Sequence, residues 1–368
     1  MSFVPPAYPY ERLDGLKLIA SRLEGGAIDC SIGTPIDAPP TVALEELARA
    51  TNARGYPSSI GSPEYRGAAA AWFERRFAVS LNVEDVAACV GTKEFVASLA
   101  QYLHLRTPSR DTVLYPAISY PTYAMGATLA GLRAVPVRTT AGQIDLDSIS
   151  PDDIERALVL WSNSPSNPTG MLDDLEAVAA WGRHHDVLVV SDECYAEYTW
   201  TGRPRTILEH GMQGVLALHS ISKRSNLAGV RAGFYAGDPE VVSFLRLVRQ
   251  HAGLMVPGPV QAAVALAYRD DEHVERQRAT YRSRLELLRG ALEDFGVEAP
   301  MPDGGFYLWC HKSGHDGWQL AEELARVSGI IASPGELYGE DGTPFARIAV
   351  VQPDERLELA ASRLSSSA

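Results

Sequence analysis

The chain has 368 residues, 33 of them basic and 46 acidic, giving a formal net charge of −13. That acidic surplus disfavours binding to a nucleic-acid backbone or an anionic membrane, and no apolar run approaches the roughly 18 residues that span a bilayer. The length suits two domains, or one large domain with a smaller one appended.

In chain order, the opening stretch MSFVPPAYPYERLDG lacks a basic start followed by an apolar run, so no secretory leader is expected. A helical pattern covers 11–23, and AIDCSIGTP then reads as a strand ending in a Gly-Thr-Pro turn. Residues 40–110 carry helical periodicity. PPTVALEELARAT opens on prolines, and SPEYRGAAAAWFERRF has Ser62 as cap, Pro63 in the first helical position and Glu64 in the first turn. From 111 the pattern becomes short apolar runs of strand length: DTVLYP, RAVPVR, ALVLWS, DVLVVSDE, GVLALHSIS and AGFYAG. Helical stretches such as DDLEAVAAWGRHH separate them, which implies crossover units and a mostly parallel sheet covered by helices on both faces. Two long helices follow, DPEVVSFLRLVRQHAG and 271–295, the second a bridge into another domain. GGFYLWCHK and PFARIAVVQ then read as strands, with WQLAEELARVSG and DERLELAASRLSS as helices of an α+β lobe.

Cys30, Cys89, Cys194 and Cys310 lie far apart without a CxxC pair, so neither a disulfide framework nor a metal site is expected, and the default is a cytoplasmic protein. GxGxxG and GxxxxGK[ST] are both missing, which removes the dinucleotide fingerprint and the P-loop.

Six segments carry candidate chemistry. In HSISKRSNLAGVRAGF, Lys223 follows a predicted strand, with Ser220 and Ser222 just before it and Arg231 eight residues on. A partly desolvated amine beside hydroxyls and an arginine fork suits a Schiff base next to a bound phosphate; the plainer alternative is an exposed loop lysine. In SDECY, Asp192 ends a buried strand, where open α/β sheets place ligand contacts, and it can hold a protonated ring nitrogen. It can equally be a helix cap or a metal ligand. Tyr195, three residues on, can reach the same guest. In SNPTG, Asn167 is biased to extended backbone by Pro168 and can bond a phenolic oxygen, or simply form a turn. In VGTKE, Gly91 and Thr92 close a strand and open a helix whose free amides suit a phosphate, or form a simple cap. Tyr120 of SYPTY can offer a flat face to a heteroaromatic ring, or fill a turn. Arg347, inside the strand pattern PFARIAV, pairs with a carboxylate of the protein or of a substrate.

The order and spacing of GYPSSIGSPEYR, VGTKE, SYPTY, SNPTG, SDECY, SISK, GGFYLW and SPGELYG resemble the fold-type-I, pyridoxal-5′-phosphate-dependent aminotransferases of classes I and II, over essentially the whole chain. The resemblance implies an α/β fold. A large domain over 40–275 would hold a mostly parallel seven-stranded sheet between helices, and 1–39 with 276–368 would form a smaller α+β domain with an N-terminal arm. It also implies roles. Lys223 would bind the cofactor aldehyde and shuttle the proton, and Asp192 would pair with the pyridinium nitrogen. Asn167 and Tyr195 would bond the ring oxygen, with Tyr120 stacked on the ring. Thr92, Lys93, Ser220, Ser222 and Arg231 would surround the phosphate. Tyr56 would reach the phosphate of the neighbouring subunit in a homodimer with shared active sites. Arg347 would clamp the substrate carboxylate, with Asn167 and Gly33 beside it. The partners would be amino acid and 2-oxo acid substrates. Two positions depart from the family pattern: Ile118 stands where proline is frequent, and Tyr338 where phenylalanine is common.

VGTKE, SNSPSNPTG, SDECY, SKRSNLAGVRAG and GLMVPGPVQAA are most similar to the actinobacterial N-succinyldiaminopimelate aminotransferases of lysine and diaminopimelate synthesis. Such a substrate needs extra cations for its distal carboxylates, for which Arg54, Arg66 and Lys93 are the candidates, and by the same resemblance 253–259 lines the substrate side. Rival readings are a broad aromatic, alanine or aspartate aminotransferase, and a C–S lyase of the same fold. A DNA-binding regulator would need an N-terminal helix-turn-helix module, for which about 26 residues ahead of the first strand are too few.

Overall fold

A computed structural model of the protein describes residues 9–140 and 142–367; the first eight residues, part of the expected N-terminal arm and of the stretch read for a leader, lie outside the described residues. In chain order the strands are β1 (Ile28–Asp29), β2 (Val86–Cys89), β3 (Thr112–Pro116), β4 (Arg133–Val137), β5 (Thr139–Thr140), β6 (Gln143–Ile144), β7 (Ala157–Asn163), β8 (Leu188–Asp192), β9 (Val215–Ser220), β10 (Gly233–Gly237), β11 (Tyr307–His311), β12 (Ile330–Ile331), β13 (Ser333–Pro334) and β14 (Phe345–Ala349). The helices are α1 (Asp14–Ala20), α2 (Thr41–Arg49), α3 (Pro63–Phe77), α4 (Thr92–Arg106), α5 (Thr122–Leu129), α6 (Pro151–Arg156), α7 (Leu175–His185), α8 (Ile221–Arg224), α9 (Pro239–His251), α10 (Gly258–Arg269), α11 (Glu272–Asp294), α12 (Gly317–Val327) and α13 (Asp354–Ser365).

Seven strands form one sheet in the order β2-β10-β9-β8-β7-β3-β4, with β10 antiparallel to both its neighbours and the remaining pairs parallel. β7 and β9 are buried along their whole length, which is why their sequences are apolar on both faces. One face packs on α3 and α10, through Trp72, Phe73 and Tyr268, and the other on α4, α5 and α9, through Phe95, Tyr123 and Leu245. As expected, the Ser62 hydroxyl caps α3, accepting the Tyr65 N–H at 3.2 Å, with Pro63 following.

A third core joins α1, α11, α12 and α13 to the antiparallel sheet β11-β14-β13. Here β1 pairs in parallel with β12, Ile28 opposite Ile330, so the segment before α2 is built into the C-terminal lobe. The 23-residue α11 runs between the lobes. From it, Arg284 forks onto Asp37 at 2.7 and 2.8 Å and reaches Asp354 at 2.6 Å. That ties the loop after Gly33 to both α11 and α13.

The sheet register puts Asn163 opposite Asp192, and β9 ends one strand over at Ser220. The carboxyl ends of β7, β8 and β9 therefore form one floor, where the strand-end positions singled out in the sequence converge.

Candidate active site

Twelve of the thirteen predicted site residues line one cavity of ≈ 360 Å³ above this floor: Gly33, Thr92, Lys93, Tyr120, Asn167, Asp192, Tyr195, Ser220, Ser222, Lys223, Arg231 and Arg347. The thirteenth, Tyr56, is 98% exposed and outside the cavity of its own chain.

Lys223 sits in the short helix α8 directly after β9, and its amine donates to the Gly33 carbonyl. Burial, with the Arg347 guanidinium adding to it, pushes its pKa down to about 8. A large share of the amine is thus neutral and nucleophilic at mildly alkaline pH. Gly33 is glycine for a steric reason: an added Cβ would lie 2.0 Å from the Tyr307 hydroxyl oxygen.

Asp192 takes a hydrogen bond from the Tyr123 hydroxyl at 2.9 Å on one oxygen and from the Cys194 N–H at 3.2 Å on the other. Burial raises its pKa, so this carboxylate gains most from a cationic partner in the cavity. The Tyr195 hydroxyl lies 2.8 Å from that of Tyr307. Asn167 is fixed at both ends. Its N–H donates to Asn163 Oδ1 at 2.8 Å, and its own Oδ1 accepts from Arg347 Nη1 at 2.7 Å, which leaves Nδ2 to donate into the cavity.

Arg347 is 1% exposed on β14. Its other terminal nitrogen donates to the Ser31 carbonyl, and the guanidinium carbon lies 4.3 Å from the Tyr307 ring centroid and 4.9 Å from that of Tyr338. Its Nε is buried with no hydrogen-bond partner among the described residues, a donor shaped for a carboxylate.

At the opposite end, Gly91 (φ 78°) opens α4, and a Cβ there would fall 2.1 Å from Arg231 Nη2. The first-turn amides of α4 have no intrahelical acceptor, so helix end, Arg231 and the hydroxyls of Ser220 and Ser222 make an anion cradle. Tyr120 meets Tyr123 edge-on, with centroids 5.9 Å apart. A phosphorylated pyridine aldehyde with a phenolic oxygen therefore finds a partner for each of its groups: cradle, buried carboxylate, amide and hydroxyl donors, flat ring and neutral amine.

One sequence expectation is corrected, and another is not met within a single chain. Arg66 does not line the cavity; it is a buried residue of α3 itself and donates to the Val83 carbonyl and to Glu84 at 2.8 and 2.9 Å, which removes it as a substrate clamp. Residues 253–259 do not line the cavity of their own chain. They pack on the 52–62 segment, where Asn52 bonds the Gly258 carbonyl and Ser59 that of Leu254. Arg54 is exposed on that same segment, and only Lys93 of the three candidate cations faces the cavity. The sequence reading missed Tyr10, Asn163, Cys194 and Tyr307 as lining residues. Tyr307 stood in the quoted GGFYLW, and strand alternation from Tyr307 to Trp309 was the available signal.

The protein family described as aminotransferase class I and II matches residues 27–364. The chain is 42% identical to the 4-dedimethylamino-4-oxo-anhydrotetracycline transaminase OxyQ of Streptomyces rimosus, covering 98% of this chain and 99% of that one. It is 35% identical to the LL-diaminopimelate aminotransferase of Aquifex aeolicus, covering 99% and 97%. Among solved structures, the probable N-succinyldiaminopimelate aminotransferase of Thermus thermophilus superposes with a TM-score of 0.87 at 30% identity, covering 98% and 100%.

Proposed function

Because the chain belongs to the class I and II aminotransferases, enzymes dependent on pyridoxal 5′-phosphate, we propose that it moves an amino group between N-succinyl-LL-2,6-diaminopimelate and 2-oxoglutarate, with glutamate as donor in the biosynthetic direction. The observation that carries the transamination reading is the convergence of a desolvated amine, a buried carboxylate and a buried arginine with an unfilled donor on one cavity.

When bound, the cofactor supplies an aldehyde for amines and an electron-withdrawing ring that weakens the bonds at the amino acid's α-carbon. The chain's own residues do the rest. Lys223 would hold the aldehyde, and its amine, when free, would take the substrate α-proton and deliver it to the cofactor carbon that bore the aldehyde. Asp192 would keep the ring nitrogen cationic. Asn167 and Tyr195 would donate to the ring oxygen, and Tyr120 would cover the ring face. Thr92, Lys93, Ser220, Ser222 and Arg231 hold the phosphate, Thr92 and Lys93 mainly by backbone amides. Arg347, beside Gly33, grips the substrate α-carboxylate and so fixes which α-carbon bond faces Lys223. Lys93 is the cation left to meet a distal carboxylate, which the succinylated substrate has and alanine lacks.

The separate cores around the seven-stranded sheet and around β11-β14-β13 support a large cofactor domain over 40–275 and a small domain made of 1–39 and 276–368. The exposure of Tyr56 supports a homodimer in which it completes the neighbour's phosphate site. The likeness to OxyQ favours a second reading, in which a bulky cyclic ketone is the amino acceptor.

A coupled assay decides between them. Glutamate should drive amination of the succinylated 2-oxo acid far faster than of pyruvate, aromatic 2-oxo acids or a tetracycline-type ketone. Comparable turnover on all acceptors would overturn the narrow substrate while leaving transamination in place.

A further inference from the structure

We propose that Arg249 is a positioning residue for the cofactor phosphate, acting through Glu94. The inference rests on the reading of the α4 N-terminus as the phosphate cradle.

Glu94 is the third residue of α4, immediately after Gly91, Thr92 and Lys93. A carboxylate there is favoured by the helix macrodipole when the site is empty. It is also a like charge in the same turn that must accept a phosphate dianion, and an unneutralised Glu94 opposes the ligand. Arg249, from the neighbouring helix α9, removes that conflict. Its guanidinium forks onto Glu94, Nη1 to Oε1 at 3.0 Å and Nη2 to Oε2 at 2.6 Å. The arginine is 2% exposed and lies over Phe95 and Tyr235, with its carbon 5.3 and 5.8 Å from the ring centroids. A bidentate pair held against two packed aromatic rings has little freedom to rotate.

Glu94 uses the fixed geometry to hold the turn. Oε2 accepts the Val90 N–H at 3.2 Å and Oε1 accepts the Ser98 hydroxyl at 2.9 Å. The carboxylate thus anchors the end of the β2 segment to the helix body and satisfies the amide just before Gly91, while the amides of the first turn stay directed to a guest. Arg249 supplies both the neutralising charge and the orientation. It touches neither cavity nor cofactor site, so its effect must appear as a preference for the phosphorylated ligand.

The test measures affinity of the full-length protein, freed of cofactor, for pyridoxal 5′-phosphate and for pyridoxal by absorbance titration. Arg249→Met should weaken the phosphorylated ligand by about tenfold or more and leave pyridoxal within about twofold, because an uncompensated charge is left in the cradle. Adding Glu94→Gln to it should restore the ratio of the two affinities to within about threefold of the parent. Equal losses for both ligands, or none, would overturn the proposal. If Arg249→Met does not fold, Glu94→Gln alone decides. It keeps an accepting oxygen for Val90 and leaves the Arg249 cation in place, so the ratio should equal or exceed the parent value, and a lower ratio overturns the proposal. Failure of the cradle reading is distinguishable: the unsubstituted protein would then bind the two ligands equally well.

Discussion

At Lys223 the sequence offered two readings, an amine for a carbonyl or an ordinary surface lysine, and burial separates them. A lysine whose folded pKa is about 8 instead of 10.5 binds fewer protons in the folded than in the unfolded chain between those values. Two consequences follow. Stability of the cofactor-free protein should rise as pH increases from about 8 towards 10.5, since burying the ammonium is what costs free energy below that window. The rate at which the cofactor-free protein captures pyridoxal 5′-phosphate should climb with pH and level off above about 8, as the neutral amine accumulates. Stopped-flow absorbance checks this, and a capture rate that falls across the same range contradicts it. Cys194 gives a second residue-scale outcome. Cys30, Cys89 and Cys310 are buried, whereas Cys194 is half-buried and reaches the cavity. A maleimide should label the cofactor-free protein at Cys194 before the other three, and pyridoxal 5′-phosphate should protect it; unchanged labelling with cofactor present would place the ligand elsewhere.

Among the elements, the Asp37–Arg284 pair bears on catalysis from a distance, because Asp37 lies on the loop that carries Gly33, the acceptor of the Lys223 amine. Arg284→Met leaves Asp37 without its fork and should cost about 2–4 kcal/mol of stability, together with a higher KM as the Gly33 loop loosens. Thermal unfolding and steady-state kinetics read both, and an unchanged KM with lowered stability would confine Arg284 to a structural role. The strands that position the site were legible because β7, β8 and β9 are uninterrupted apolar runs bounded by polar residues. Other elements gave weaker signals. β2 is four residues, Val86–Cys89, set between helices in a stretch of helical periodicity, and only the Gly91 turn marked its end. β5 and β6 are two residues each. α10 was not assigned as a helix from the sequence, because its buried Ala263, Val264, Ala265, Ala267 and Tyr268 wrap more than one face and leave no single apolar stripe. Roles at strand ends could be read from one chain in sequence order, but the burial of Arg66 on the inner side of α3 and the Tyr195–Tyr307 contact depend on how separate elements pack.

For the whole molecule, the proposed homodimer makes a complementation experiment possible. Lys223→Ala removes the amine within a subunit, and Tyr56→Phe removes the hydroxyl proposed to serve the neighbour. A mixed dimer carrying one substitution in each subunit has one site with both defects and one with neither. Refolding the two inactive or weakened variants together should return up to about a quarter of parental activity, since half the dimers are mixed and each has one intact site. Activity no higher than the sum of the separate variants would argue that each chain works alone.

Catalysis in this cavity requires a covalent link at one side chain. Incubation with pyridoxal 5′-phosphate, reduction with borohydride and peptide mass measurement should find the pyridoxyl adduct on Lys223, with Lys223→Ala losing both the adduct and the visible absorption of the bound cofactor. An adduct on another lysine, or none on Lys223 in the unsubstituted protein, would contradict the assignment of this cavity as the catalytic centre.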